Sequence, residues 1–189
     1  MTMKKKTFIA GLILAVTVMV AFSVSSVNSK NAGNFKYVGV SKCQTCHKSD
    51  AAGKQLDIWQ NSKHSQAFKT LQTEAADKIA KDKGFSTKAA ETPQCVKCHV
   101  LGKDINPDEL TETFSKEDGV QCETCHGAGS EYKAMSIMKD KQKAIENGLN
   151  VPTDRNAFCT TCHNPESPTF KEFKGDEMWE KIKHYKPKN

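Results

Sequence analysis

The sequence predicts a mainly α-helical single domain with little or no sheet, wrapped around bound groups rather than around a large side-chain core. Apolar residues recur at helical spacing in several segments, and no segment shows the alternation of a half-buried strand. Aromatic residues make up only 7% of the 189 residues, and the mean hydropathy is -0.61. The third observation is a repeated motif of cysteine and histidine, which supplies what the core lacks.

The motif Cys-x-x-Cys-His occurs four times, at 43–47, 95–99, 122–126 and 159–163, and uses all eight cysteines. It is the attachment signature of c-type haem, in which two thiols bond the haem vinyl groups and the histidine ligates iron. The sequence therefore predicts four haem c groups in one multihaem cytochrome c domain. The attaching cysteines are Cys43, Cys46, Cys95, Cys98, Cys122, Cys125, Cys159 and Cys162, and the proximal iron ligands are His47, His99, His126 and His163.

Three other cysteine chemistries were weighed against haem. Paired Cys-x-x-Cys sequences also bind zinc, and cysteines of exported proteins form disulfides. Neither chemistry needs a histidine directly after every second cysteine, and with six histidines four such coincidences have a chance of roughly one in a million. A thioredoxin-like motif would occur once, near a βαβ pattern that this sequence lacks. Haem accounts for all four copies.

The formal net charge of +6 alone would favour nucleic acid or an anionic surface as a partner. The lysines are scattered among acidic residues and form no basic stripe interleaved with aromatics, so no nucleic-acid partner is expected. Without residues 1–29 the chain loses three lysines and its charge falls to +3. The two propionates of each haem would bring the assembled protein near neutrality.

Residues 1–29 have the form of a secretory signal. Three lysines at 4–6 precede an apolar run at 8–24, and small or polar residues follow it. An uncleaved membrane anchor is the alternative, because the run is at the short limit for a span. In both cases residues 30–189 form the tetrahaem domain, in the periplasm or otherwise outside the cytoplasmic membrane. A membrane is a partner only if the segment is retained.

The first predicted helix spans residues 55–83. Its positions at steps of three and four share one face, and these are His64, Phe68, Leu71, Ala75 and Ile79. Gly84 follows and is expected to end the helix.

Two further helices are predicted in the second half of the chain. One starts with Ser130 as its N-cap, directly after a glycine-containing turn at 127–129. It runs to about residue 147, with Gly148 as the C′ residue. The other spans residues 170–182.

Each haem iron has a second axial position, and only His64 and His184 remain, so at most two haems can be bis-histidine. His64 shares a face with Phe68, which favours ligation over the role of an ordinary core histidine. His184 would share a face with acidic residues if the last helix continued, so periodicity leaves a surface position and a ligand equally open. The remaining irons need another ligand or stay five-coordinate.

Methionine is the next candidate ligand. Met135 and Met138 share a helical face after the third motif. Methionine in a helix more often packs than ligates, but the shortage of histidines favours ligation by one of the two. A His/Met haem would have a higher reduction potential than a bis-histidine haem, because thioether ligation favours Fe(II).

These residues resemble the cytochrome c-554 family of exported tetrahaem cytochromes over nearly all of the chain after the N-terminal segment. The resemblance rests on the first motif followed by Trp59 and His64, on the residues 119–129 around the third motif, on the spacing of the four motifs, and on His184 with the two residues after it. It implies a mainly helical fold around closely stacked haem pairs. It also implies that His64 ligates the third haem, that His184 ligates the fourth, and that the haem on His99 is five-coordinate.

The sequence departs from the family pattern after the third motif. A well-known member has a histidine there that serves the first haem, whereas residues 132–139 here contain no histidine and carry Met135 and Met138. We infer that Met138, with Met135 as the second choice, ligates the haem on His47.

The predicted function is electron transfer between a redox donor protein and a redox acceptor protein, neither of which the sequence identifies. One alternative is a nitrogen oxide reductase acting at the five-coordinate haem on His99. The other is a membrane-anchored quinol dehydrogenase, which requires the apolar run to be retained. No other catalytic constellation stands out in the sequence.

Overall fold

The computed structural model of the chain describes residues 35–185, so the predictions for residues 1–29 lie outside the described residues. Helices take up about half of this part of the chain, and within it no strand forms; one isolated parallel bridge joins Tyr37 to Leu110. The prediction of a mainly α-helical fold with little or no sheet is confirmed. The α-helices are α1 (Val40–His47), α2 (Gln55–Gln60), α3 (Ala67–Leu71), α4 (Glu74–Asp82), α5 (Pro93–His99), α6 (Cys122–His126), α7 (Met135–Met138), α8 (Lys141–Glu146), α9 (Arg155–Cys159) and α10 (Gly175–Ile182).

The side-chain core is small and lies around α3, α4 and α5. Its buried members are Phe68, Leu71, Ala80, Ala89, Val96, Val100 and Leu101. Only one of them is aromatic, as the low aromatic content of the sequence suggests. Among residues 35–185, none of the helices is both long enough and apolar enough to cross a membrane.

The helix predicted at 55–83 is divided into α2, α3 and α4, so its predicted continuity is wrong. Hydroxyl side chains compete with the helical backbone at both breaks. The Ser65 hydroxyl donates to the carbonyl oxygen of Gln60 at 2.9 Å. The Thr73 hydroxyl accepts from the backbone N–H of Ala76 and caps α4.

The second break changes which face of α4 is buried. Ala76 and Ala80 pack against the core, whereas Ala75 of the predicted face is exposed. The apolar face is therefore displaced by one residue after Thr73. Gly84 ends α4 as predicted, with a φ of 85° that favours glycine.

The helix predicted at 130–147 is also divided, into α7 and α8. The Ser130 hydroxyl accepts from the backbone N–H of Lys36 instead of capping a helix. Asp140 ends the first piece and caps α8, because its carboxylate accepts from the backbone N–H groups of the next turn. Gly148 is the C′ residue as predicted, with a φ of 101°.

The last helix is shorter than predicted, since α10 begins at Gly175 rather than at residue 170. It ends at Ile182, and Lys183 is extended with a ψ of 140°. His184 therefore leaves the helical path, and a face shared with the acidic residues of α10 does not form.

Candidate functional site

Each Cys-x-x-Cys-His motif lies at the end of a short helix. α1, α5 and α6 end on His47, His99 and His126, and the fourth motif begins on Cys159, the last residue of α9. In helical geometry the residues at i, i+3 and i+4 lie on one side. The two thiols and the imidazole of a motif therefore face the same way, as covalent attachment with iron ligation requires.

The thiols of different motifs lie close together. The Cys43 thiol lies close to Cys122, and this neighbour together with burial raises the pKa of Cys43. The Cys98 thiol lies close to Cys162, and burial is the main reason why the pKa of Cys98 rises to about 11. None of the eight cysteines forms a disulfide. The first motif is therefore beside the third, and the second is beside the fourth.

Cys125 connects these two pairs of motifs. The pKa of Cys125 is raised to about 11, mainly by burial and in smaller part by the nearby Cys159, Cys122 and Cys162. The third motif also contacts the second, because the Thr124 hydroxyl donates to the carbonyl oxygen of Val100 at 2.7 Å. The four motifs thus form one cluster, although they are far apart in the sequence. Among residues 35–185 no three His, Cys, Asp or Glu side chains form a metal-binding cluster of the zinc type.

Two of the histidines that end a motif each face one of the two histidines outside the motifs. The ring centroids of His64 and His163 are 6.1 Å apart, with planes tilted by 43°. Those of His126 and His184 are 5.8 Å apart, tilted by 44°. A metal–histidine nitrogen bond is about 2 Å long, so two such bonds and the half-widths of two rings span this separation. The residues present therefore fit iron between two imidazoles.

The rings are placed differently from the pairing that the family resemblance implies, because His64 lies beside His163 of the fourth motif and His184 beside His126 of the third. Which histidine ligates which haem stays a prediction. The backbone carbonyl of His64 accepts from Val120 beside the third motif at 2.9 Å, but its ring turns toward His163. The end of the chain returns to α2, where the Gln55 side chain donates to the carbonyl oxygen of Tyr185 at 3.0 Å. That contact holds the neighbouring His184 beside the third motif.

The four facing rings share one electrostatic feature. Burial is the largest cause lowering the pKa of each of them, and they are His64, His126, His163 and His184. A lower pKa favours the neutral imidazole, which is the form that ligates a metal.

The proximal histidines differ in what holds their second ring nitrogen. Nδ1 of His99 lies 2.7 Å from the carbonyl oxygen of Ala67, and Nδ1 of His126 lies 3.2 Å from the carbonyl oxygen of Asn150. A carbonyl only accepts, so Nδ1 carries the proton in both rings and Nε2 is free to ligate. Nδ1 of His47 is buried and has no partner among the described residues.

His163 is held by an aromatic ring. Phe173 stacks on it with centroids 4.7 Å apart and planes inclined by 15°. Within residues 35–185, which include all six histidines, neither His47 nor His99 faces a second histidine ring at the spacing of the two pairs.

The predicted methionines lie at the two ends of α7. Met135 is 62% exposed, and Met138 is half-buried, so Met138 is the more sheltered sulfur. Its assignment to the haem on His47 stays a prediction.

Sequence reasoning missed Glu123, which lies between the two cysteines of the third motif and is 1% exposed. Its carboxylate accepts from the backbone N–H groups of Val38, Gly39 and Gly129 at 2.7–3.0 Å. Burial raises the pKa of Glu123, although the three hydrogen bonds oppose this shift. The sequence feature that could have pointed to Glu123 is the glycine at 129. The structure explains this glycine, because a Cβ there would lie 2.9 Å from a Glu123 carboxylate oxygen.

Comparisons with known proteins agree with these features. A family model described as "Cytochrome c554 and c-prime" matches residues 42–127, a range that includes the first three motifs. The chain is 27% identical to "Cytochrome c-554" of Nitrosomonas europaea over 191 residues, covering 82% of this chain and 78% of the relative. No solved structure matches the chain.

Attachment motifs in or directly after short helices, cysteines without disulfides and facing histidines agree with both matches. A c-type cytochrome carries haem and transfers electrons. Both matches support the cytochrome c-554 family for this chain, and with it the class of c-type cytochromes that transfer electrons.

Proposed function

We propose that this protein is an exported carrier that binds four haems covalently and transfers electrons between redox partner proteins. The observation that carries the proposal is that the attachment motifs cluster together. Cys43 lies near Cys122, and Cys98 lies near Cys162. The Thr124 hydroxyl of the third motif also donates to the carbonyl oxygen of Val100, directly after the second motif. Groups attached within such a cluster would be neighbours of one another. Haem iron supplies reversible one-electron oxidation and reduction when it is bound.

The protein's own residues would make the four sites unequal. His163 with His64, and His126 with His184, would each provide two imidazoles. His47 would be paired with Met138, with Met135 as the second choice. His99 would be the one proximal histidine whose site has no second protein ligand.

His99 differs from the other proximal histidines in what surrounds it. Its Nδ1 is bonded to Ala67 in α3, and the neighbouring core residues Phe68 and Val100 are 4% and 0% exposed. An apolar surrounding excludes water, and we identify no acid or base for proton transfer there. Because no histidine faces His99, a haem there would have an open position for a small molecule. Reduction of nitrogen oxides at that position is therefore the second candidate function.

The first experiment is mass spectrometry of the purified protein. It should show four covalent haems and a mature chain that begins near residue 30. A mass with fewer than four haems would contradict the proposal. A retained N-terminus would favour the membrane-anchored quinol dehydrogenase over the exported soluble carrier.

Paramagnetic resonance of the oxidised protein then tests the ligands. Three low-spin signals and one high-spin signal are expected, and a wholly low-spin spectrum would contradict an open site on His99. Steady-state turnover with nitrite, nitric oxide or hydroxylamine separates carrier from reductase. Multiple turnovers with one of these substrates would favour the reductase.

Two substitutions test the facing pairs. His64→Ala should convert the haem of the fourth motif to high spin, and His184→Ala should convert that of the third. A variant that removes the fourth attachment site, Cys159→Ala with Cys162→Ala, identifies the signal of the fourth haem. If His64→Ala removes a different signal, the pairing is wrong.

A further inference from the structure

Asn150 lies in the irregular segment after α8 and contacts the third motif through three hydrogen bonds. Its backbone N–H donates to the carbonyl oxygen of His126 at 2.8 Å. Its side-chain Nδ2 donates to the carbonyl oxygen of Cys125 at 3.0 Å. In return, Nδ1 of His126 donates to the backbone carbonyl oxygen of Asn150 at 3.2 Å. Asn150 therefore bonds to the backbone of Cys125 and His126 and also to the His126 ring.

The segment that carries Asn150 approaches the motif as closely as a backbone can. A Cβ on Gly127 would lie 2.6 Å from the carbonyl oxygen of Gly148, and both glycines have positive φ. The ring of Phe35 packs on the other side of Gly148, where a Cβ would lie 3.2 Å from it. The approach is thus held from both sides before Asn150 forms its bonds.

The histidine ring depends on a carbonyl that no helix holds. The corresponding acceptor for His99 is Ala67, whose residue belongs to α3. Asn150 lies outside every helix, so its carbonyl is held by its backbone N–H bond to His126 and by its side-chain bond to Cys125. Without the side-chain bond, the residue can rotate about its one remaining bond, and the carbonyl can move relative to Nδ1.

We propose that Asn150 is the positioning residue of the third attachment site, fixing the plane and the protonated nitrogen of the His126 ring so that Nε2 faces His184. This rests on the proposed function, because it takes a haem on Cys122 and Cys125 for granted. A hydrogen bond from Nδ1 to a carbonyl makes an imidazole a stronger donor to its metal. Asn150 therefore also favours the oxidised state of that one haem.

The test compares Asn150→Ala with Asn147→Ala in the haem-loaded protein. Asn147 is a matched control because its Nδ2 also donates to a backbone carbonyl at 2.8 Å, that of Lys143, which lies four residues earlier in α8. Haem number, thermal unfolding, paramagnetic resonance and the redox titration are measured for both. If Asn150→Ala does not accumulate with haem, Asn150→Leu keeps about the size of the side chain and removes the donor without adding a charge.

Asn150→Ala should shift one low-spin signal, the same one that His184→Ala removes, and should raise the potential of one haem. Asn147→Ala should leave every signal and every potential as in wild type. Lower thermal stability with unchanged signals and potentials would overturn the proposal, since a merely structural residue would behave that way. A wild-type protein with fewer than four haems would count against the proposed function instead, and that result is read from the wild-type mass alone.

Discussion

The third and fourth motifs have the same five-residue pattern but are held in different ways. The third is bonded by distant parts of the chain: Glu123 binds Val38 and Gly39 at the start of the described chain, and Asn150 binds the histidine end. The fourth is held by bonds within its own helical turn, and its histidine is placed by stacking on Phe173.

This difference shows that the attachment motif does not by itself determine how firmly its histidine is placed. A hydrogen bond through Nδ1 fixes both the ring plane and the proton, whereas stacking fixes the plane alone. The third site should therefore be the more sensitive to distant changes, and the fourth to changes in its immediate neighbours.

The largest effect is expected from Glu123→Ala, which leaves three backbone N–H groups near the third motif without an acceptor. A buried unsatisfied group costs about 1–3 kcal/mol, so the free energy of unfolding should fall by roughly 3 kcal/mol or more. Glu166→Ala is the control near the fourth motif, because Glu166 is 82% exposed and its ion pair with Lys97 is 3.9 Å long. Denaturant unfolding measures both, and equal losses would contradict the comparison.

A smaller loss is expected from Gly129→Ala. The new Cβ would lie 2.9 Å from Glu123 and would displace its carboxylate, at a cost of about 1–3 kcal/mol. Gly84→Ala separates crowding from backbone strain, since Gly84 has a positive φ but no atom near its Cβ site. If Gly129→Ala is as stable as wild type, Glu123 is not confined as described.

Phe173→Leu should disturb the fourth site alone. Removing an aromatic partner costs about 0.5–1.5 kcal/mol beyond lost burial, and the freed ring of His163 should shift the low-spin signal that His64→Ala removes. Phe170→Leu, three residues earlier in the same segment, serves as the control. A shift of the third site's signal in Phe173→Leu would contradict the separation of the two sites.

The smallest effect is a pH dependence at Glu123. Burial raises its pKa above the ordinary 4.5, so the folded protein binds the proton more tightly than the unfolded chain. Its contribution to stability is then complete below pH 4.5 and is lost as the pH rises through the folded pKa. The stability of wild type relative to Glu123→Gln should fall as the pH rises from about 4 to about 7. A difference that increases with pH would show that the three hydrogen bonds outweigh burial.

The sequence predicted the helical class and the positions that end α4 and α8, because periodicity and glycine are local signals. It did not predict the breaks at Ser65, Thr73 and Asp140. At these positions a side chain bonds to nearby backbone, and whether it does so depends on neighbours that periodicity does not include. The long helices predicted at 55–83 and 130–147 are therefore shorter pieces with shifted faces.

What the sequence alone determined is the attachment chemistry, since two thiols and an imidazole of one motif are neighbours in any helical turn. Which histidine faces which motif was decided only by the tertiary structure, and the ring positions of His64 and His184 differ from those that the resemblance implies. The roles of Glu123 and Asn150 were decided there as well. Their partners are 6 to 85 and 24 to 25 residues away along the chain, and contacts at such separations depend on the path of the whole chain.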